Sequence, residues 1–335
     1  MNNQKYTILV TGGAGFIGSH VAEELIQAGH KVIVFDDLSG GFLENVPKGA
    51  EFIQGDTSSD AEVKKLFEKY QFDYIFHLAA YAAEGLSFFI KKFNYKNNLI
   101  SSINLINAAV NSGVKCFVFT SSIAVYGNQT PPFSEDNTPT PKDPYAISKF
   151  AVEMDLKISN DMWGLNYIIF RPYNVYGEKQ NIGDKYRNVI GIFMNQIMEG
   201  KELTIFGDGM QTRAFTYIKD ISPVIANSIF NQDAYNQIFN IGSDKEYTVK
   251  ELAEIVNNSM DSRNEIKYLD ARNEVVNAYS KIDKAKEIFG YSLKTNLETG
   301  VNKMADWAKK AGSKKSKEFE NIEVTKNMPK SWLTK

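Results

Sequence analysis

The chain has 335 residues, of which 43% are hydrophobic, and its formal net charge is −2 at pH 7. This length predicts one large domain and a smaller one, and the charge excludes bulk attraction to nucleic acid or to anionic lipid. A single cysteine excludes both a disulfide scaffold and a cysteine-ligated metal within one chain, so we predict no metal site.

The sequence also lacks the features of a membrane or secreted protein. It has no apolar run of the roughly eighteen residues that a transmembrane helix needs, and its N-terminus does not resemble a signal peptide. We therefore expect a cytoplasmic protein without a membrane span. Cys116 lies in an apolar run and is expected to be a buried thiol.

Short apolar runs alternate with helical segments through the first half of the chain. We predict strands at residues 6–11, 31–35, 51–54, 74–78, 116–120 and 167–170. Predicted helices lie at residues 16–28, 60–70, 97–112 and 145–161. Strands that alternate with helices indicate right-handed crossovers and a parallel sheet.

The alternation ends near residue 177. Helices are predicted at residues 188–198, 220–230 and 248–260. The prediction is an α/β fold in which residues 1–177 form a Rossmann-type, doubly wound parallel sheet that binds NAD, with returning segments near 213–242. A smaller C-terminal α/β cap, mainly residues 178–335, is expected to bind substrate at the carboxyl ends of the strands.

A glycine-rich turn between the first strand and the first helix predicts a dinucleotide site. Gly13-Ala14-Gly15-Phe16-Ile17-Gly18 directly follows Ile8-Leu9-Val10, so backbone N–H groups can face a diphosphate at the helix N-terminus. Asp36-Asp37 ends the next strand, where a carboxylate accepts from ribose hydroxyls and repels a 2′-phosphate. Because no arginine follows at residues 38–41, the sequence favours NAD over NADP.

Two polar residues at strand ends have alternative interpretations. Asp56 is either an acceptor for the adenine amino group or the N-cap of the following helix, and the two roles are compatible. His77 has no catalytic partner in the pattern, and we interpret it as structural.

Tyr145 and Lys149 lie four residues apart in a predicted helix, so their side chains share one face. A neighbouring ammonium favours phenolate and is expected to lower the pKa of Tyr145 from its usual value of about 10. The pair therefore predicts a general base.

Taken in order, these motifs resemble those of the extended short-chain dehydrogenase/reductase family, and within it the nucleotide-sugar epimerases and dehydratases. The resemblance extends from about residue 6 to residue 307 and rests on residues 11–18, Asp36-Asp37-Leu38, Asp56, 78–80, Asn98, Ser121-Ser122, 125–127, Tyr145, Lys149, 171–177, Arg213, Phe215, Tyr217 and Asp220.

The resemblance implies a tightly held NAD and a catalytic group of Ser122, Tyr145 and Lys149. Tyr145 would remove a proton from a sugar hydroxyl, Lys149 would bind the nicotinamide ribose, and Ser122 would hydrogen-bond the reacting oxygen. Oxidation of a carbon is easier as its hydroxyl loses the proton, so the base and the oxidant must flank one carbon. The first product would be a 4-keto sugar.

The resemblance also implies two sets of binding residues. The expected cofactor contacts are Gly12, Gly15, Phe16, Ile17, Gly18, Asp36, Asp37, Leu38, Ser39, Gly40, Asp56, Thr57, Leu78, Ala79, Ala80, Asn98, Ser121, Tyr145, Lys149 and Tyr173. The expected substrate contacts are Ser122, Tyr145, Asn174, Asn188, Val189, Arg213 and Arg272. The two arginines suit the phosphates of a nucleoside diphosphate, because guanidinium groups pair with phosphate through two parallel hydrogen bonds.

The residues after Ser122 distinguish between reactions of this family. Members that resemble the 4,6-dehydratases have an Asp-Glu pair there, and uronic acid decarboxylases usually have Glu at the second position, whereas this chain has Ile123-Ala124. A 4-epimerase needs no additional acid. We therefore predict an NAD-dependent 4-epimerase that interconverts UDP-glucose and UDP-galactose.

The substrate remains open at this stage. Asn174 favours a neutral hexose, but residues 81–87 depart from the family's usual Gln-x-Gly-Val-Arg-x-Ser. The position that limits the size of the C2 substituent is either Ala278 or Tyr279. Ala278 would admit an N-acetyl group, whereas Tyr279 would exclude it. The alternatives are a UDP-glucuronate 4-epimerase, in which Lys179, Lys185 or Arg187 would meet the carboxylate, a UDP-N-acetylhexosamine 4-epimerase, another UDP-sugar oxidoreductase or decarboxylase, and a non-catalytic dinucleotide sensor.

Relatives that form dimers also suggest the oligomeric state. By analogy, the helices near residues 97–112 and 145–161 would pair across a two-fold axis, and we expect a homodimer.

Overall fold

The computed structural model describes residues 4–271, 277–315, 319–329 and 332 of the chain. Its strands are β1 (Thr7–Thr11), β2 (Lys31–Asp36), β3 (Glu51–Gln54), β4 (Tyr74–His77), β5 (Cys116–Thr120), β6 (Tyr167–Pro172), β7 (Val175–Tyr176), β8 (Leu203–Phe206), β9 (Thr212–Ala214), β10 (Thr216–Tyr217), β11 (Gln237–Ile241), β12 (Glu246–Thr248), β13 (Ile266–Leu269) and β14 (Asn277–Ala278). Its α-helices are α1 (Phe16–Gln27), α2 (Asp60–Lys69), α3 (Glu84–Ser87), α4 (Lys91–Tyr95), α5 (Ser101–Ser112), α6 (Pro144–Trp163), α7 (Val189–Met198), α8 (Ile218–Asn227), α9 (Val249–Ser259), α10 (Asp283–Phe289) and α11 (Leu297–Ala311).

A seven-stranded sheet in the order β11-β6-β5-β4-β1-β2-β3 forms the centre of the molecule, and all its described pairings are parallel. The chain runs outward from β1 to β3 and then continues from β4 on the other side of β1. This reversal places a crevice at the carboxyl ends of β1 and β4, where ligands of doubly wound sheets bind.

Helices cover both faces of this sheet because alternate strand residues point to opposite faces. On one face, Ile8 and Val10 of β1 belong to a buried apolar cluster with α1 and α8. On the other face, Leu9 belongs to a second cluster with α2, α5 and α6. The predicted doubly wound α/β fold is confirmed.

Helix α6 begins and ends where its local sequence dictates. The Asp143 carboxylate accepts from the Ala146 N–H at 2.8 Å, and Pro144 occupies the first turn, where its missing N–H costs nothing. Gly164 ends the helix with φ +72°, a conformation that favours glycine. Between these ends, the 20-residue helix carries Tyr145 and Lys149 on its buried face.

Smaller elements form the cap on the carboxyl side of the sheet. β8 pairs with β13, and β9 pairs with β12 and β14, while α7, α9 and α11 pack around them. Strand β11 returns from this region and pairs with β6, as expected for residues 239–241. The domain boundary at residue 177 remains a prediction. Residues on both sides of it belong to one buried apolar cluster.

The predicted and observed elements differ in the cap, where only helices were predicted individually but β8, β9, β12, β13 and β14 also form, and at one helix of the sheet domain. The helix expected over residues 97–112 begins in a π-helical turn, Lys96–Ile100, which joins α4 to α5. The rest of the expected helix is α5. β6 also continues to Pro172, two residues beyond the predicted end. Among the described residues, no helix combines the length and apolarity needed to cross a bilayer.

Candidate active site

A cleft of about 560 Å³ lies at the carboxyl edge of the sheet, between the sheet and the cap. Its size is within the range of roughly 300–1,000 Å³ that is usual for small-molecule sites. The glycine-rich turn, the ends of β2, β4, β5 and β6, and residues of α6 and the cap all line it. The predicted cofactor and substrate residues therefore meet in a single cleft.

The glycine-rich turn has no room for a side chain at Gly12 or Gly18. A Cβ on Gly12, which has φ +71°, would lie 2.6 Å from the Ala79 nitrogen, and a Cβ on Gly18 would lie 2.1 Å from the Gly12 carbonyl oxygen. Gly15 is the N-cap of α1 and has no side chain to cap the first N–H groups. The helix N-terminus is thus exposed to an anion from the cleft, and the turn fits the diphosphate of a dinucleotide.

Two carboxylates mark the end of the cleft that would hold adenosine. Asp36 accepts from the N–H groups of Ala14 at 3.1 Å and Leu38 at 2.8 Å, and burial raises the pKa of its carboxyl. Asp56 also lines the cleft and accepts from the N–H of Ser58 at 2.7 Å. The N-cap of α2 is Ser59, so Asp56 does not serve as that N-cap.

One buried hydroxyl supports the fit of a ligand in this cleft. The Ser121 Oγ has no hydrogen-bond partner among the described residues, although it is fully buried. Ser121 lines the cleft directly after β5, beside Ser122. An unpaired buried hydroxyl costs free energy, and a polar group of a bound ligand would remove that cost.

Ser122, Tyr145 and Lys149 meet where the ends of β5 and α6 converge on the cleft. The Ser122 Oγ accepts from the Ala124 N–H at 3.1 Å, and its hydrogen bond to the Tyr145 phenol favours the charged form of that phenol. The Lys149 Nζ donates to the Thr120 carbonyl oxygen at 2.8 Å and lies 5.9 Å from the centre of the Tyr145 ring. The structure thus brings the three predicted catalytic side chains together.

The environment of Tyr145 differs from the expectation that Lys149 lowers its pKa. Burial raises the pKa of the Tyr145 phenol well above its usual value, and the nearby carboxylates of Glu84 and Asp143 raise it further. The hydroxyl of Ser122 and the charge of Arg187 act in the opposite direction. The expectation of a lowered pKa is therefore wrong, because the loss of water outweighs the effects of Ser122 and Arg187.

Lys149 is buried beside the same cleft, and this lowers its pKa to about 7. The carboxylate of Glu153, one turn further along α6, opposes this shift. Burial therefore disfavours the charged form of this side chain. A negatively polarised ligand atom nearby would favour the charged form.

The predicted substrate residues lie on the cap side of the cleft. Asn174, Asn188, Val189 and Arg213 all line it, and the Arg213 Nη1 donates to the Thr212 carbonyl oxygen at 2.8 Å. Arg272 is outside the described residues. Asn174 and Asn188 have φ +41° and +65°, backbone conformations that asparagine tolerates better than most residues.

The structure distinguishes Ala278 from Tyr279. Strand β14 pairs Ala278 with Arg213 of β9, and Ala278 lines the cleft. Both residues pack against the cluster of Ile123, Tyr126 and Phe133, but Tyr279 is not among the residues that line the cleft. The small side chain therefore faces the ligand space.

Two predicted cofactor residues do not line the cleft, namely Leu38 and Asn98. Leu38 has φ +61°, and its N–H is bound by Asp36. The Asn98 side chain bonds the Tyr81 N–H at 2.8 Å and the Tyr81 carbonyl oxygen at 3.1 Å. Asn98 thus fixes the backbone that follows β4, because a buried amide must satisfy both its donor and its acceptor.

All the other described cofactor predictions line the cleft: Gly12, Gly15, Phe16, Ile17, Gly18, Asp36, Asp37, Ser39, Gly40, Asp56, Thr57, Leu78, Ala79, Ala80, Ser121, Tyr145, Lys149 and Tyr173. His77 lies behind this wall as a buried residue between the hydroxyls of Thr11 and Ser102, at 2.7 and 2.8 Å. Burial lowers its pKa to about 3, in agreement with a structural role.

Sequence reasoning missed other residues that shape the cleft, including Tyr81, Glu84 and Asp143. Tyr81 and Glu84 lie in the segment that departs from the family pattern, and this departure was the available signal. Asp143 could be identified only as a helix cap, yet burial raises its pKa to about 6 two residues before Tyr145. Arg187 was considered only as a contact for a substrate carboxylate.

Comparison with known proteins agrees with this geometry. Residues 8–242 match the model of the NAD dependent epimerase/dehydratase family. The chain is 32% identical over 310 residues to a UDP-glucose 4-epimerase of Mycolicibacterium smegmatis, covering 89% of this chain and 97% of that protein. It is 31% identical over 320 residues to a UDP-N-acetyl-alpha-D-glucosaminuronate decarboxylase of Bacillus cytotoxicus, covering 90% and 98%.

A solved structure is similar over nearly the whole fold. The crystal structure of a UDP-glucose 4-epimerase with UDP-glucose from Thermotoga maritima superposes with a TM-score of 0.86 at 34% identity, covering 91% of this chain and 99% of that one. The dinucleotide cradle, the Tyr145–Lys149 pair and these matches lead to one conclusion: the chain belongs to the NAD dependent epimerase/dehydratase family, and its cofactor is NAD.

Proposed function

We propose that this protein is a 4-epimerase of UDP-hexoses that retains NAD through the catalytic cycle. The observation that carries the proposal is the juxtaposition of Ser122, Tyr145 and Lys149 in a cleft whose wall continues with Ile123 and Ala124. These residues supply a base for one hydroxyl, and neither Ile123 nor Ala124 can supply an acid for dehydration.

The chemistry requires a proton acceptor and an electron acceptor on one carbon. The glycine-rich turn and Asp36 would hold NAD, which would supply the reversible acceptor for the C4 hydrogen and its bonding electrons. Tyr145 accepts the proton of the C4 hydroxyl, and Ser122 hydrogen-bonds the oxygen as it becomes a ketone. The same phenol returns the proton to the oxygen after the ketone has presented its opposite face.

Because its pKa is raised, Tyr145 needs a nearby positive charge to act as a base. In the protein alone, burial and the carboxylates of Glu84 and Asp143 disfavour phenolate. A ligand that brings positive charge would reverse this balance, since an opposite charge within about 4–6 Å favours the charged form. Tyr145 would then become a competent base only in the assembled complex.

The wall residue Ala278 supports a substrate range wider than glucose and galactose. Its side chain is a single methyl group, and it faces the cleft next to Arg213. Arg213 is positioned to pair with the substrate diphosphate. We propose that UDP-N-acetylhexosamines are accepted alongside UDP-glucose and UDP-galactose.

The uronate alternatives find less support in the described contacts. Of the three basic residues expected near a substrate carboxylate, Lys179 and Lys185 do not line the cleft, whereas Arg187 does. The similarity to a uronate decarboxylase keeps this substrate class as the second candidate. A non-catalytic dinucleotide sensor would not need the Tyr145–Lys149 pair.

We also propose that the active protein is a homodimer through α6. This helix exposes Ile147, Met154, Ile158, Met162 and Trp163, which are between 43% and 67% exposed. Ile147, Met154, Ile158 and Met162 recur with helical spacing on one side of α6, and Ile100 of the adjacent π-helical turn is also 48% exposed. Contiguous apolar surface of this kind commonly marks a protein interface.

The proposal is tested by product analysis. Purified protein is incubated without added NAD with UDP-glucose, UDP-N-acetylglucosamine or UDP-glucuronate, and proton NMR follows the products. Interconversion of the C4 epimers of the first two sugars supports the proposal. Release of carbon dioxide, or formation of a 6-deoxy-4-keto sugar, would contradict it.

A further inference from the structure

A loop of the cap, residues 178–188, is attached to the glycine-rich side of the sheet. The Asn45 amide donates to the carbonyl oxygens of Ala14 at 3.2 Å and Lys179 at 3.1 Å, and so joins the two segments. The His20 Nε2 of α1 lies 3.0 Å from the Glu178 carbonyl oxygen. This loop therefore begins beside the diphosphate cradle.

Arg187, near the end of the loop, lies beside Gly40 of the sheet domain. Its Nε donates to the Asp184 Oδ2 at 2.8 Å, and the two side chains are only 16% and 9% exposed. The guanidinium carbon lies 5.0 Å from the centre of the Tyr81 ring. The Nη2 lies 3.3 Å from the position that a Cβ on Gly40 would occupy.

The surroundings hold this arginine in place. Tyr81 packs edge-on against Phe93 and contacts Phe319 of the C-terminal segment, with ring centres 5.2 and 5.6 Å apart. Tyr186 packs edge-on against Trp332 at 5.4 Å. An arginine held by an ion pair and an aromatic face loses less side-chain entropy when it binds an anion.

Two neighbours define the position of Arg187 along a bound dinucleotide. Gly40 follows Asp36 and Asp37, which mark the adenosine end of the cleft. A Cβ on the next residue, Gly41, would lie 2.9 Å from the Gly15 nitrogen, in the glycine-rich turn that fits the diphosphate. The segment of NAD between its adenosine and its nicotinamide riboside is the diphosphate.

We propose that Arg187 binds the diphosphate of NAD and thereby fastens the cap loop over the cofactor. This inference rests on the proposed cofactor site and adds a binding residue from the cap to those of the sheet. Guanidinium suits this role because it presents several donors in a fixed plane to phosphate oxygens. Asp184 holds the Nε side, and the Nη2 side reaches toward the cradle.

The diphosphate of the nucleotide sugar is a different anion with the same chemistry. Arg213 on β9 lies on the cap side of the cleft, beside Ala278. Arg187 contacts the Gly40 loop, which belongs to the sheet and to the cofactor half. The position of Arg187 therefore favours the cofactor over the substrate.

The test compares Arg187→Gln with Lys185→Gln, a nearby substitution that removes the same charge. For each purified protein, bound NAD per chain is measured after denaturation, and the release rate is measured by exchange into excess isotopically labelled NAD. We expect Arg187→Gln to release NAD about 10-fold to 100-fold faster, the range expected for loss of a hydrogen bond to a charged group. Arg187→Lys, which keeps the charge but not the planar donors, should fall between it and the wild type.

A second measurement separates the two diphosphates. Calorimetric titration of each NAD-containing protein with UDP should give the same affinity for Arg187→Gln and for wild type. Weakened UDP binding with unchanged NAD release would overturn the proposal and assign Arg187 to the substrate. NAD release equal to that of Lys185→Gln would also overturn it.

The outcomes also distinguish this inference from the proposed function. If the wild-type protein contains NAD and epimerises UDP-hexoses while Arg187→Gln behaves as Lys185→Gln, only the role of Arg187 fails. If the wild-type protein contains NAD but does not epimerise any of the three sugars, the proposed function fails while the release measurements still test Arg187.

Discussion

Glu153 of α6 and Arg171 of β6 form a buried, bidentate ion pair, with Nε–Oε1 and Nη2–Oε2 distances of 2.9 and 2.5 Å. Both side chains are 2% exposed. The Arg171 Nη1 also donates to the Tyr126 hydroxyl at 2.7 Å, and that hydroxyl donates to the Asn240 Oδ1 at 2.9 Å. The pair thus links α6 to β6 and β11, one helical turn away from Lys149.

Replacing Glu153 with Gln should destabilise the fold. The guanidinium of Arg171 would remain buried without a countercharge, and breaking a buried pair on one side costs about 3–5 kcal/mol. Urea unfolding of the purified protein measures this change. The control is Asp60→Asn, which removes a carboxylate from the exposed pair with Lys64 and should not alter stability measurably. Equal effects of the two substitutions would show that the Glu153–Arg171 pair does not hold α6 in place.

The buried Lys149 should make stability depend on pH. Its pKa in the folded protein is about 7, below its usual value of 10.5, so the unfolded chain binds more protons between these values. The stability of the protein freed of NAD should therefore rise with pH above about 7, because release of the Lys149 proton on folding becomes less costly.

Lys149→Met isolates this contribution because it removes the titrating group. Urea unfolding at several pH values should give a smaller increase in stability with pH for the variant than for the wild type. Identical slopes would show that Lys149 keeps an ordinary pKa in the folded protein. The variant should also lose epimerase activity, although its fold persists.

Replacing Tyr145 with Phe should remove the base without removing the cofactor site. We expect the rate to fall by about 10²-fold to 10⁴-fold, the usual contribution of a positioned acid–base group. NAD content after purification should stay at the wild-type level, because the glycine turn and Asp36 are unchanged. Activity within a few fold of wild type would refute the assignment of the base, and loss of NAD would indicate a wider disturbance of the site.

Replacing Ala278 with Tyr should narrow the substrate range. The larger side chain would project into the cleft beside Arg213, where we place the C2 substituent of the sugar. Turnover of UDP-N-acetylglucosamine should fall much more than turnover of UDP-glucose, as shown by the ratio of their kcat/KM values. Ala278→Ser serves as the control that preserves the volume. Equal losses for both substrates would mean that this residue does not contact C2.

The apolar stripe on α6 should mediate dimerisation. Met154→Glu places a charge in the middle of the stripe, where 52% of the methionine is exposed in the single chain. Light scattering after gel filtration should then show a shift from dimer to monomer. Met210→Glu changes another methionine, 59% exposed on the cap, and should leave the dimer intact. A wild-type monomer would contradict the proposal directly.

Local sequence determined the elements that depend on neighbouring residues. The strands from β1 to β6 were predictable because each is a short apolar run beside a helical period, and the dinucleotide turn because glycines recur directly after β1. The pairing of Tyr145 with Lys149 needed only helical geometry. The start of α5 was not predictable, because the π-helical turn before it is only five residues long and leaves no periodic pattern of its own.

The tertiary structure decided the properties that depend on burial and on residues distant in sequence. Whether Tyr145 has a raised or a lowered pKa depends on the balance between desolvation and charges from several elements, which no spacing reveals. The tertiary fold also placed Ala278 rather than Tyr279 in the cleft, turned Asn98 toward the backbone of Tyr81, and brought Arg187 to Gly40. Sequence patterns report which side chains are available and on which face they lie, whereas their electrostatic energies depend on what excludes water around them.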